Sequence, residues 1–79
     1  MAIPVDPETL LRRGDAASAL REAGYPVARA TLATLACRGG GPAFRRFGRV
    51  PIYRWGDLVE WARSRCSPPM RSTSEADAA

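Results

Sequence analysis

The stretch Gly39-Gly40-Gly41-Pro42-Ala43-Phe44-Arg45-Arg46-Phe47-Gly48-Arg49-Val50-Pro51-Ile52-Tyr53-Arg54 decides how the rest of the chain is read. Three glycines and a proline in a row end any helix that reaches them. Beyond the break, aromatic and β-branched residues interleave with arginine on both sides of Gly48, which predicts a short two-stranded hairpin. Pro51 has no amide hydrogen to donate, so the second strand of that hairpin is expected at a sheet edge.

Upstream of the break the pattern is helical. Asp15 is placed to cap a helix over Ala16 to Ala23, with Ala16, Ala19, Leu20 and Ala23 on its apolar stripe and Gly24 at its end. Gly24-Tyr25-Pro26-Val27 reads as a tight turn, with Val27 plugging the angle between two helices. A helix from Ala28 to Arg38 follows, burying Leu32, Leu35 and Ala36 and leaving Arg29, Ala30, Ala33, Thr34 and Cys37 as a small, polar outer face. Downstream, a last helix runs from Gly56 or Asp57 to about Arg65, with Leu58, Trp61 and Ala62 on one side and Ser67-Pro68-Pro69 as its stop. At the other end of the chain, Pro7 and Glu8 suit a first helical turn, so a short helix from Pro7 to Arg13 is expected, capped by Asp6 and closed by Gly14. Arg12 and Arg13 then complement its dipole. Phe44, Phe47, Ile52 and Trp61 read as core, Tyr53 as core or phosphate contact, and Trp55 as packed on the hairpin or exposed as a protein contact.

The chain divides into a lead-in with its short helix over 1–14, a domain over 15–65 and a disordered tail over 66–79. At 79 residues it holds one small domain with a thin core and little room for a catalytic pocket. No nucleophile–base pair or carboxylate pair stands out, His is absent, and the three glycines lack the Lys and Ser or Thr of a phosphate loop. An enzyme is not expected, nor a cofactor. Cys37 and Cys66 are too few and too far apart to ligate zinc, so both thiols are expected free and reduced in a cytoplasmic protein. No run is long and apolar enough for a signal peptide or membrane span.

Charge points to a partner. All twelve basic residues are arginine, and the span Ala28 to Arg54 holds six of them without a single acid. Such a stretch is the electrostatic footprint of a phosphate backbone, and guanidinium contacts phosphate and guanine bidentately.

The order helix, tight turn, helix, hairpin, helix over Asp15 to Arg65 resembles the excisionase and AlpA-like branch of the MerR-type winged helix-turn-helix proteins. The residues that carry the resemblance are Leu20 and Gly24, Thr31-Leu32, Gly41-Pro42-Ala43-Phe44, Phe47-Gly48-Arg49, Val50, Ile52, Tyr53-Arg54, Asp57-Leu58 and Trp61. Ala28 and Gly56 stand where such proteins often carry polar caps, and Trp55 where they often carry Arg. The resemblance implies a mainly α fold with a small β-hairpin wing, a winged helix-turn-helix. It also implies sequence-specific binding of double-stranded DNA, as an excisionase or as a transcriptional regulator of a mobile element. Binding would be cooperative between neighbouring copies on repeated sites, DNA-bending, and alongside an integrase.

On this reading Arg29, at the start of the recognition helix, is the first candidate for a base-edge contact, with Thr31 and Thr34 behind it. Arg45, Arg46 and Arg49 in the wing face sugar-phosphate or a minor groove, and Arg38 and Arg54 reach phosphate. The alternative is a protein-interaction module, antitoxin-like or an anti-regulator, that uses the same fold without DNA and binds through the acidic tail carrying Glu75 and Asp77.

Overall fold

The computed structural model describes residues 3–72, in which three ten-residue helices accompany one three-stranded antiparallel sheet. In chain order the elements are β1 (Leu10–Arg12), α1 (Arg13–Glu22), α2 (Arg29–Arg38), β2 (Arg45–Phe47), β3 (Val50–Arg54) and α3 (Trp55–Ser64). The expected tail falls partly on residues 73–79, outside the described residues.

The short helix expected over Pro7 to Arg13 does not form. Asp6 closes a single turn instead: its Oδ1 accepts the Glu8 N–H at 2.9 Å, and its carbonyl accepts the Thr9 N–H at 3.0 Å. The chain then runs extended, and Leu10, Leu11 and Arg12 pair with Arg54, Tyr53 and Ile52. Tertiary pairing overrides the helix-start signal because alternation suits this segment: Leu11 packs on the core while Leu10 and Arg12 face out. Consequently α1 starts at Arg13, not Ala16. Gly14 lies in its first turn, where Asp15 complements the dipole instead of capping.

The hairpin turns over Gly48-Arg49, with Phe47 opposite Val50. Only Gly48 of the two has positive φ (+65°), the II′ pattern whose twist matches the flanking strands. Contrary to the edge position expected of it, β3 is the central strand, in the order β1-β3-β2. The register shows how Pro51 is accommodated. The pair flanking a two-residue turn exchanges both backbone bonds, so Val50 and Ile52 face β2 while Pro51 faces the other side. There β1 has already ended, opposite Ile52, and no partner needs the missing hydrogen.

The core comprises Ala16, Ala17, Ala19 and Leu20 of α1, Leu32 of α2, Tyr53 of β3, and Trp55, Leu58 and Ala62 of α3. Alanine on two sides of α1 lets neighbouring elements approach closely, which is why Ala17 is buried with the expected stripe. Leu35 and Ala36 are only half-buried. Gly24 closes α1 as expected, with the Tyr25 N–H donating to Leu20 O at 2.8 Å and the Gly24 N–H to Arg21 O at 3.1 Å, a Schellman pair. Gly41 admits no side chain, since a Cβ there would stand 2.8 Å from that of Leu35.

Trp55 is buried at the start of α3, in one core cluster with Tyr53 of β3, and is not exposed as a protein contact. The helix needs no polar cap at this end. Its first amides, Trp55 N–H and Gly56 N–H, donate to the lead-in carbonyls of Thr9 at 2.9 Å and Pro7 at 2.8 Å. Leu58, fully buried between α3 and the rest, tests this core. Leu58→Ala is expected to destabilise the domain by about 2–5 kcal/mol, seen as a lower urea midpoint with an unchanged slope.

Candidate nucleic-acid interface

The turn from α1 to α2 is fixed from the α1 side. Arg21 donates through Nη1 to the Val27 carbonyl at 3.1 Å and through Nη2 to Ser18 Oγ at 3.2 Å. Leu32 then buries one side of α2, leaving Arg29, Ala30, Thr31, Thr34, Cys37 and Arg38 exposed. Thr34 donates its hydroxyl to Ala30 O at 3.1 Å within the helix, whereas Thr31 makes no such bond. Ala28 precedes the helix in extended conformation and gives no side-chain cap. The outer surface of α2 is therefore small side chains and hydroxyls between an arginine at each end.

The strand register distributes the hairpin arginines. Arg45 pairs with Ile52 and Phe47 with Val50, so these four share one face of the sheet with Leu10, Arg12 and Arg54. Arg46, opposite Pro51, lies on the Tyr53 face, and Arg49 sits in the turn. Phe47, expected in the core, is 78 % exposed at the tip of the hairpin. It stands on the outer face one residue from the turn, and nothing in the core reaches it. Phe44 takes the packing role instead, its ring 5.6 Å from that of Tyr53. Tyr53 resolves as core: it is buried, and its hydroxyl accepts a hydrogen bond from Arg13 Nε at 3.0 Å. Trp61 is half-buried and donates Nε1–H to Gly40 O at 2.8 Å, tying α3 to the glycine loop.

Two arginines that the sequence assigned to a helix end belong to the site. Arg12, Arg13 and Gly14 at the β1–α1 junction, Arg29 at the start of α2, and Arg49, Val50 and Pro51 of the hairpin line one concavity of about 250 Å³. Four arginines and no acidic residue line it. Arg13 is anchored through Tyr53, with its guanidinium 5.9 Å from the ring centroid. Among the described residues, no hydrogen bond or ion pair engages the side chains of Arg12, Arg29, Arg38, Arg46 or Arg49. The available signal was charge, nine arginines against two acids from Arg12 to Arg54, not local helix propensity.

Arg54 lies apart from this group. Its guanidinium pairs with Glu8 Oε1 at 2.6 Å through Nη2 and with Asp57 Oδ1 at 3.1 Å through Nη1, clamping the lead-in to α3. The hydrogen bond and charge of Arg54 hold the Glu8 carboxyl below its ordinary range, and Glu8 in turn raises Arg54. Both cysteines are free and exposed, and among the described residues no group of three His, Cys, Asp or Glu is placed to hold a metal. Nor, among them, is any helix long and apolar enough to cross a membrane. Compared with models of known families and with curated protein sequences, the chain matches none.

The Glu8–Arg54 clamp carries a pH signature. Because the Glu8 pKa is lowered on folding, its contribution is present above the unfolded-state value and is lost as pH falls through the folded-state value. Glu8→Gln is expected to lower the melting temperature at neutral pH, and the difference from wild type should vanish once Glu8 is protonated in acid, as thermal melts across pH will read.

Proposed function

We propose that this chain is a winged helix-turn-helix protein that binds double-stranded DNA, with α2 in the major groove and the β2–β3 hairpin as the wing. One observation carries the reading: the start of α2 and the turn of the wing border the same acid-free concavity, with Arg29 and Arg49 on its walls. A duplex presents groove and flanking backbone side by side. A surface that sets a slim helix face beside unpaired arginines is complementary to both. Arg29 reads base edges, Thr31 and Thr34 line the helix face behind it, and Arg38, Arg45, Arg46 and Arg49 hold the backbone or minor groove. Arg54, sequestered by two carboxylates, serves the fold and not the DNA.

Exposed Phe47 gives the wing an apolar tip between Arg46 and Arg49. Aromatic wedges flanked by arginine enter a minor groove and open base steps, which bends the duplex. Bending, together with the resemblance over Asp15 to Arg65, favours an accessory role in excising a mobile element, beside an integrase and in several neighbouring copies. Control of transcription by the same module is the second use the resemblance allows. In either role the protein works in the cytoplasm on the nucleoid.

The test is an electrophoretic shift on DNA upstream of the protein's own coding region, with unrelated competitor. Discrete, cooperative complexes that survive competitor support the reading; the absence of any shift transfers the protein to the protein-interaction class. Arg29→Ala is expected to relax sequence preference, whereas Arg46→Ala should weaken all DNA alike and reduce the salt slope by about one. Phe47→Ala should retain binding but reduce the bend angle, read by the migration of circularly permuted fragments.

A further inference from the structure

The concavity at the β1–α1 junction calls for a ligand of its own. Four arginines line a space of about 250 Å³ whose remaining lining, Gly14, Val50 and Pro51, is uncharged. Like charges so placed raise the energy of the empty site and lower that of any anion entering it. The lining offers no aromatic face and no side-chain acceptor with which to recognise a base, so a nucleotide is a poor fit. A tetrahedral oxyanion is a good one, because guanidiniums from separate elements can each take a different oxygen.

We propose that this notch seats one phosphate oxyanion and, on the DNA reading above, that the ion is a single backbone phosphodiester held between α2 and the wing. Arg12 and Arg13 approach from the β1–α1 junction, Arg29 from α2 and Arg49 from the turn of the hairpin. Arg13 is pre-positioned, since Tyr53 occupies its Nε and leaves the two terminal nitrogens for the ligand. The seated phosphate fixes the register of the recognition helix on the duplex. Arg29 thereby acts at the phosphate as well as at a base edge, and Arg12 and Arg13 become DNA contacts.

Gly14 supplies a variant that keeps the fold. A Cβ at this position would meet only Arg29 Cδ, at an ordinary 3.8 Å. A longer residue in the first turn of α1 favours the helix, and an acid there suits its dipole. Gly14→Glu therefore puts a carboxylate into the notch without endangering the domain, and Gly14→Ala controls for the backbone effect.

The experiment titrates the labelled 79-residue chain with inorganic phosphate and, separately, with a duplex, following amide shifts, and measures duplex affinity against salt. Inorganic phosphate should shift the amides of residue 14, Arg29 and Arg49 in wild type and Gly14→Ala but not in Gly14→Glu, whereas the duplex should shift those of Arg29 and Arg49 in all three. Duplex affinity should fall about tenfold in Gly14→Glu, with a salt slope smaller by about one. Duplex binding that is equal in the Glu and Ala variants, with the notch amides unmoved by inorganic phosphate, overturns the phosphate seat while the DNA reading stands. Phosphate shifts at the notch without any duplex binding keep the oxyanion site and remove the DNA reading. Silence at the notch toward both ligands overturns the site outright.

Discussion

The pairing of Leu10, Leu11 and Arg12 with β3 is the constraint on which the rest of this structure depends. It converts a two-stranded hairpin, marginal by itself in water, into a three-stranded sheet with one face on the core. It also sets where α1 begins. The strand ends opposite Ile52, and the helix starts at the next residue, so Arg12 and Arg13 stand at a corner instead of on a helix surface. Beyond the strand, the same extended backbone carries the carbonyls of Thr9 and Pro7 to the first amides of α3. One segment of lead-in thereby orders the sheet, the first helix and the last.

Much of this was legible in the sequence wherever punctuation and periodicity agreed. Gly24, the Gly39–Pro42 break and Gly48 all lie where the chain turns, and α2 runs over nearly the expected residues. The lead-in was not legible, because Asp6, Pro7 and Glu8 carry a helix-start signal while the competing interaction lies more than forty residues away in β3. Local propensity cannot see a partner strand. The same blindness explains Pro51, whose place in a central strand depends on β1 ending one residue early. Phe47 and Phe44 are alike in composition and neighbourhood. Their different fates follow from strand phase, which sets Phe47 outward at the tip and leaves Phe44 against Tyr53.

The arginines were legible as a class but not by role. Arg13, Arg21 and Arg54 each donate to an acceptor within the protein: the Tyr53 hydroxyl, the Val27 carbonyl and two carboxylates. Each joins elements distant in sequence or fixes a turn, which is structural work. Arg12, Arg29 and Arg49 face one concavity without such acceptors. What separates the two sets is an acceptor within reach: a hydroxyl for Arg13, a carbonyl for Arg21, and for Arg54 the carboxylates of Glu8 and Asp57, at the far end of β3 from the hairpin turn. The split exists only in three dimensions, since Arg12 and Arg13 are neighbours in the chain and differ by one peptide in what they touch.

This arrangement links binding to stability. The repulsion among Arg12, Arg13, Arg29 and Arg49 opposes the folded state, because folding collects charges that the unfolded chain keeps apart. The core that resists it is small: among the described residues, only Tyr53, Leu20, Leu32 and Leu58 are large, fully buried side chains. An anion in the concavity changes the sign of that term for the β1–α1 junction, α2 and the wing together. A ligand that binds the native chain and not the unfolded one stabilises it by mass action. On the proposed reading, the bound phosphate both anchors the duplex and tightens the junction between helix and wing, so recognition and rigidity come from the same four side chains.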